Sequence, residues 1–244
     1  MTYQPEKIHR LLLKISGEVL AGPRGFGYDD AVINALTDEI IEARRLGYSI
    51  AIVLGGGNIF RGGSWANQSL DRVTLDHIGM LATVQNSLYL AEILNRKNYA
   101  AQVFTSFSMD SVAKHYTPRR AFQAMEAGNI CLLSGGTGNP FFTTDTAAIL
   151  RACELKLDIV FKGTKVDGLY SADPQIDPQA EFIADATYDQ CLEQKLGVND
   201  WAEVCRVATS SAVQTHKKEK IVVAVFLLVI LKKATDIGNI NPSG

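Results

Sequence analysis

The chain has 244 residues, of which 47% are hydrophobic and 20% are charged, and its formal net charge is −2 at pH 7. This length fits one large α/β domain, and the composition is that of an ordinary globular protein with a sizeable core. The near-neutral charge, with no basic block in the sequence, argues against nucleic-acid binding as the main task.

In chain order, apolar runs alternate with amphipathic stretches. The predicted elements are strand Leu11 to Ile15, helix Asp30 to Leu46, strand Ser49 to Leu54, helix Leu75 to Arg96, strand Ala101 to Thr105, helix Arg119 to Glu126, strand Ile130 to Leu133, helix Thr144 to Leu155, strand Asp158 to Lys162, helices Thr187 to Lys195 and Trp201 to Gln214, and strand Ile221 to Leu231. This alternation predicts a three-layer α/β/α sandwich with a mainly parallel central sheet. We expect a single domain over residues 1–244.

The sequence gives no sign of secretion, membrane insertion or metal binding. Its four cysteines and four histidines are dispersed, without the spacing of a zinc site or a disulfide framework. The N-terminus lacks signal-peptide character, and the longest apolar run is too short for a bilayer span of about 20 residues. We therefore expect a cytoplasmic protein that does not bind membranes.

Glycine-rich segments follow four of the predicted strands, at Ser16–Gly17, Gly55–Gly57, Gly135–Gly138 and Gly163–Gly168. Ligands of parallel sheets bind beyond the carboxyl ends of the strands, so these segments are expected to converge at one edge. Glycines let the backbone approach an anion, and amides at a helix start point at its charge. Each segment alone could be a structural turn. Together they predict a polyphosphate ligand, held without a Walker-type loop.

Charged residues beside these segments indicate phosphoryl transfer. Lys14 and Lys162 lie at the ends of apolar strands. A lysine there loses hydration at a cost in free energy unless its ammonium group meets an anion. Arg61 suits a fork-shaped phosphate contact, and Asp145 follows the Gly135–Gly138 turn. The alternatives are a surface lysine and a helix-capping aspartate. Phosphoryl transfer mainly needs two aligned substrates and compensation of charge on the transferred group. We therefore expect Lys14 and Lys162 to stabilise that group, with Asp145 orienting them.

Five motifs resemble those of the bacterial uridylate kinases, a family of the amino-acid-kinase superfamily. They are Leu12–Glu18, Gly55–Arg61, Asp76–Thr83, Gly138–Asp145 and Thr164–Gly168, and the resemblance runs from about Lys7 to Asp200. It implies ATP-dependent phosphorylation of UMP to UDP in pyrimidine nucleotide biosynthesis. It also implies a homohexamer, inhibition by UTP, activation by GTP through the loop Gly22–Gly27, and Mg²⁺ carried by the nucleotide phosphates rather than by protein ligands.

Lys14, Lys162 and Asp145 are the catalytic residues that we expect from their chemistry. The resemblance adds the residues that bind the two nucleotides. The expected ATP-binding residues are Lys14, Ser16, Gly17, Gly57, Arg61, Thr164, Tyr170 and Asp173. The expected UMP-binding residues are Gly56, Asp76, Thr137, Gly138, Asn139, Pro140, Phe141, Phe142, Thr143 and Thr144.

The sequence departs from the family pattern from about residue 205 onward. Lys217 to Lys220 leads into the apolar run Ile221 to Leu231, and the final edge hairpin of the family is absent or rewritten. An incomplete sheet edge would expose pairing groups and weaken stability or assembly. Two other functions stay open: a carboxylate or carbamate kinase of the same superfamily and, because of the unusual C-terminus, a non-catalytic nucleotide-binding or storage protein on the same scaffold.

Overall fold

The computed structural model of the chain describes residues 9–61, 70–164, 169–171, 177–183 and 222–227. Its strands are β1 (Arg10–Ile15), β2 (Ser49–Leu54), β3 (Ala101–Thr105), β4 (Lys114–His115), β5 (Ile130–Ser134), β6 (Ile159–Thr164), β7 (Leu169–Tyr170), β8 (Phe182–Ile183) and β9 (Val222–Leu227). Its α-helices are α1 (Gly17–Ala21), α2 (Asp30–Arg45), α3 (Arg72–Arg96), α4 (Pro118–Glu126) and α5 (Thr144–Leu155).

Seven of these strands form one sheet in the order β4-β3-β5-β2-β1-β6-β9. Every neighbouring pair in it is parallel. β7 and β8 form a separate antiparallel ladder. The prediction of a mainly parallel sheet is confirmed, and β1 lies between β2 and β6, with sheet on both sides of it.

Alternating side chains of the strands face two helical layers. On one face, Leu11, Leu13 and Ile15 of β1 are buried in a cluster that includes residues of α2 and α3. On the other face, Leu12 is buried in a cluster with residues of α4 and α5. The predicted three-layer sandwich is therefore confirmed. Lys14 lies one residue from the end of β1, on the same face as Leu12, which is the face covered by α5.

Side-chain caps fix where the helices begin. Asp29 accepts hydrogen bonds from the amides of Ala31 and Val32 at the start of α2. Asp71 caps α3 in the same way, and Thr143 caps α5 through the amide of Thr146. Such caps satisfy amides that the first helical turn leaves without partners. Of the helices in the described part of the chain, none is long and apolar enough to cross a membrane.

Several local predictions need correction. α3 begins at Arg72 rather than at Leu75. Asp71 caps the helix before the apolar periodicity begins, and a helix can start without that periodicity. The loop Gly22–Gly27 contains a 3-10 helix at Gly22–Arg24. β6 continues two residues past Lys162 to Thr164. After β6 the chain forms the short β7–β8 ladder, which the sequence did not predict.

The C-terminal part of the chain is described only at β9. Val222 to Leu227 pair in parallel with Ile159 to Thr164 of β6, so the apolar run beginning at Ile221 supplies a strand at the position beside β6. The predicted helices Thr187 to Lys195 and Trp201 to Gln214 lie outside the described residues, as do residues 228–244.

Candidate active site

Two lysines and an aspartate meet on the α5 face of the sheet. The ammonium nitrogen (Nζ) of Lys14 is 2.6 Å from Oδ1 of Asp145, and Nζ of Lys162 is 2.6 Å from Oδ2 of the same carboxylate. Asp145 is 3% exposed, whereas the side chains of Lys14 and Lys162 are 11% and 17% exposed. The carboxylate is therefore buried, and the two ammonium-bearing side chains paired with it keep a small exposure to solvent.

The strand register explains why these three residues meet. Lys14 in β1 and Lys162 in β6 are directly paired across parallel strands, so their side chains leave the sheet on the same face, about 5 Å apart at the backbone. Asp145 lies in the first turn of α5, which covers that face. The carboxylate is thus beside the positive end of its own helix as well as between two ammonium groups.

The protonation state of Asp145 follows from two opposing effects. Burial raises the pKa of this carboxyl group, but the charges of Lys14 and Lys162 and their contacts with it outweigh burial and lower the pKa below its ordinary value. Asp145 is therefore ionised at neutral pH. The three side chains together carry a net charge of about +1 directed at the sheet edge.

The first two glycine segments lie against each other at this edge. A β-carbon at position 17 would be only 2.6 Å from the carbonyl oxygen of Gly55 and 2.7 Å from the amide nitrogen of Gly57. The amide of Gly55 donates to the carbonyl of Ile15 at 2.8 Å. Only glycine at position 17 permits this close approach of two backbone segments. The predicted convergence is realised for these two turns.

Two buried asparagines, which the sequence analysis did not single out, fix the second glycine turn. Asn58 and Asn86 exchange side-chain hydrogen bonds of 3.1 and 2.7 Å, and both are fully buried. Nδ2 of Asn86 also donates to the carbonyl of Gly55, and Nδ2 of Asn58 donates to that of Gly27. The turn is thereby attached both to α3 and to the segment around Gly27. Asn86 lies in the polar run Gln85–Ser87 of α3, so nothing in the sequence marked it as buried.

Arg61 lies over the same turn. Its Nη2 is 3.1 Å from Oε1 of Glu18, and its Nε donates to the carbonyl of Gly57. The side chain of Arg61 is half exposed. The predicted phosphate-binding arginine is thus located beside Gly17 and Gly57 and is paired with a carboxylate at the start of α1.

The loop that joins β5 to α5 is held by side chains from the elements around it. The amide of Gly135 donates to Oγ1 of Thr83 on α3 at 2.8 Å. The buried guanidinium of Arg151 on α5 donates to the carbonyl of Gly136 at 3.2 Å. Asp76 on α3 accepts a hydrogen bond from the amide of Phe141 at 2.7 Å. These three contacts fix the shape of the loop.

The middle of this loop carries further predicted residues. The amide of Asn139 donates to Oγ1 of Thr137, and Gly138 adopts a left-handed conformation, with φ of +86°. Phe141 and Phe142 are 65% and 50% exposed. Pro140 lies between them and Asn139, in the turn that precedes α5. Two large aromatic side chains are thus presented to solvent next to a helix N-terminus.

The remaining predicted positions have these outcomes. Thr143 and Thr144 lie at the start of α5, where Thr143, and not Asp145, is the capping residue. Gly56 lies against α3, because a β-carbon there would be 2.8 Å from that of Ala82. Ser16 immediately precedes α1. Thr164 and Tyr170 are located by their backbones in β6 and β7, and Asp173 lies outside the described residues.

Comparisons with known proteins agree with this geometry. Residues 9–223 match the sequence profile of the Amino acid kinase family. The uridylate kinase of Stutzerimonas stutzeri strain A1501 is 46% identical over 205 residues, which cover 84% of this chain and 83% of that protein. The uridylate kinase of Pseudomonas aeruginosa strain PAO1 is 48% identical over 196 residues, or 80% of each chain.

Solved structures give the same result. The crystal structure of UMP kinase from Ureaplasma parvum matches with a TM-score of 0.82 and 32% identity, covering 91% of both chains. That of UMP kinase from Bacillus anthracis matches with a TM-score of 0.77 and 29% identity, covering 89% of this chain and 95% of the other.

Proposed function

Since this chain belongs to the amino acid kinase family, and within it to the uridylate kinases, we propose that it phosphorylates UMP to UDP with ATP by in-line transfer. An oxygen of the UMP phosphate bonds to the γ-phosphorus of ATP. The bond between that phosphorus and the oxygen bridging it to the β-phosphorus breaks, and ADP leaves. The observation that carries the proposal is the ion-paired arrangement of Lys14, Asp145 and Lys162 at the sheet edge where the glycine turns meet.

In this proposal, Lys14 and Lys162 compensate the charge on the transferred phosphoryl group. Asp145 holds both ammonium groups in place before the substrates arrive, so little reorganisation is needed at the moment of reaction. No general base is required, because an oxygen of the UMP phosphate is already anionic at neutral pH. The protein's task is to align the two nucleotides and stabilise charge.

We assign the two nucleotides to different sides of the Lys14–Asp145–Lys162 cluster. The ATP phosphates bind near Lys14 and the glycine turns, and the ATP nucleoside lies further along β6. This side comprises Ser16, Gly17, Gly57, Arg61, Thr164, Tyr170 and Asp173. UMP binds at the β5–α5 loop and the facing part of α3. That side comprises Gly56, Asp76, Thr137, Gly138, Asn139, Pro140, Phe141, Phe142, Thr143 and Thr144.

Further aspects of the proposal concern the metal, assembly and regulation. Kinases of this kind use ATP with a metal ion, and we propose Mg²⁺ bound by the nucleotide phosphates. In support, both oxygens of Asp145 face ammonium groups, which would repel a metal ion bound directly by this carboxylate. We also propose a single catalytic domain acting in the cytoplasm in pyrimidine nucleotide biosynthesis, as a homohexamer inhibited by UTP and activated by GTP near Gly22–Gly27.

The decisive experiment measures ADP formation from ATP and Mg²⁺ with UMP, CMP, dCMP, glutamate and carbamate as separate acceptors. We expect turnover with UMP, and a loss of about 10²–10³-fold in kcat for Lys14→Ala, which is typical of removing one preorganised group that stabilises the transition state. Lys114→Ala, which removes an exposed lysine of β4, is the control and should retain wild-type turnover.

Other outcomes identify the alternatives. Turnover with glutamate or carbamate instead of UMP would indicate a carboxylate or carbamate kinase of the same superfamily. Tight UMP binding without turnover on any acceptor would indicate a nucleotide-binding or storage protein. Near-normal turnover by a folded Lys14→Ala variant would refute the role given to Lys14.

A further inference from the structure

We propose that Arg72 is a positioning residue that fixes the UMP loop through Asp76 and Phe141. This inference rests on the proposed function, because it assigns the β5–α5 loop to UMP. Arg72 is the first residue of α3, outside every motif that the sequence analysis identified. Its position one helical turn before Asp76 places both side chains on one face of the helix.

The contacts form a chain from helix to loop. Nε of Arg72 donates to Oδ1 of Asp76 at 2.8 Å. Oδ2 of Asp76 accepts a hydrogen bond from the backbone amide of Phe141 at 2.7 Å. The two oxygens of one carboxylate are thus divided between the helix and the loop. A carboxylate has about four acceptor positions, so Asp76 keeps acceptor capacity for a hydroxyl group of a bound nucleoside.

The loop needs such an anchor at Phe141. This residue has φ of +71°, a left-handed conformation that a bulky side chain adopts only when its surroundings hold it. Phe141 is 65% exposed, so burial does not fix its conformation. The guanidinium carbon of Arg72 lies 5.8 Å from the centre of the Phe141 ring, within the range of a cation–π contact. Arg72 therefore contacts the aromatic ring and also orients the carboxylate that binds its amide.

The same helix supplies a matched control. At its other end, Nε of Arg96 donates to Oε1 of Glu92 at 2.8 Å, again four residues apart along α3. The side chains of Arg72 and Arg96 are 63% and 72% exposed. Arg96 is about 36 Å along the helix from Arg72, far from the loop. The two ion pairs are chemically alike, and only one of them is joined to the UMP loop.

The test compares Arg72→Ala, Arg72→Lys and Arg96→Ala by steady-state kinetics with UMP and ATP varied separately. Amide hydrogen exchange at Phe141 is measured in each variant. We expect Arg72→Ala to raise KM for UMP about fivefold, equivalent to about 1 kcal/mol, with KM for ATP within about twofold. The size follows from an exposed ion pair and an exposed cation–π contact. Arg72→Lys should restore part of the loss, because it retains the cation but not the planar fork.

Exchange at Phe141 should accelerate in Arg72→Ala and stay at the wild-type rate in Arg96→Ala. A KM for UMP within about twofold of wild type in Arg72→Ala, or an equal rise in Arg96→Ala, would overturn the positioning role. If the wild-type protein does not phosphorylate UMP, the proposed function has failed independently. In that case only hydrogen exchange tests the role of Arg72. Faster amide exchange at Phe141 in Arg72→Ala alone would support the anchoring of the loop, and an unchanged exchange rate would refute it.

Discussion

Replacement of Asp145 by asparagine tests the arrangement at the centre of the site. The substitution keeps the shape of the side chain but removes the charge between Lys14 and Lys162, whose ammonium groups each lie 2.6 Å from its oxygens. Removing one partner of a buried ion pair costs about 3–5 kcal/mol. Because the side chains of the two lysines are 11% and 17% exposed, we expect a destabilisation at the lower end of this range, about 3 kcal/mol.

Urea denaturation would measure this loss. With a slope of about 3 kcal/mol per molar urea for a chain of this size, the midpoint of Asp145→Asn should fall by about 1 M. The control is Asp38→Asn, since Asp38 is paired with Lys97 at 2.7 Å but is 70% exposed. Exposed pairs contribute about 0–1 kcal/mol, so the Asp38→Asn midpoint should stay close to that of the wild type.

The pH dependence adds a second criterion. The pKa of Asp145 is lowered in the folded protein from an ordinary value of 3.8. Its stabilising contribution is therefore fully present above that ordinary value and is lost as pH falls through the lower pKa of the folded state. The difference between wild type and Asp145→Asn should be constant from about pH 6 to pH 8 and should narrow below about pH 4. A difference under about 0.5 kcal/mol at neutral pH would refute the reasoning.

Two further predictions concern stability and use the same urea assay. Gly17→Ala should destabilise the protein by about 2 kcal/mol or more, because its new methyl group meets backbone atoms at 2.6 Å. In contrast, the new methyl group of Gly79→Ala within α3 meets no atom within 4 Å, and this variant should be more stable by about 0.5–1 kcal/mol. If both variants changed the free energy of unfolding in the same direction, this reasoning would be contradicted. Asn86→Leu should cost about 2–3 kcal/mol, because Asn58 and the carbonyl of Gly55 lose buried partners. An unchanged stability of Asn86→Leu would show that Asn58 and the carbonyl of Gly55 find other hydrogen-bond partners.

The sequence predicted the sheet and the central charges well, for a clear physical reason. Lys14 interrupts an apolar strand close to its end, and parallel strands bring all such ends to one edge. The pairing of Lys14 with Lys162 could not be read from the sequence, because it depends on which strands are neighbours. The structure supplies it by placing β1 beside β6.

The contacts that were missed come from α3. Its start at Arg72 carries no apolar repeat, and only the preceding Asp71 signals a helix there. Asn86 and Thr83 bond to glycine turns that are distant in the chain, so their partners could not be assigned from spacing. β4 has two residues, too few for any periodic signal. Sequence patterns thus identified the charged groups that meet at the sheet edge, but not the side chains that hold the loops in place.

The position of β1 between β2 and β6 also affects how the protein forms during synthesis. The amide of Arg10 bonds to the carboxylate of Asp158, 148 residues later in the chain. At about 5–20 residues per second, a ribosome needs roughly 7–30 seconds to make that segment. Until then, the first strand to emerge lacks one of its two neighbours, and pairing across so long a loop is intrinsically slow. The Lys14–Asp145–Lys162 cluster therefore cannot assemble until β6 has been synthesised.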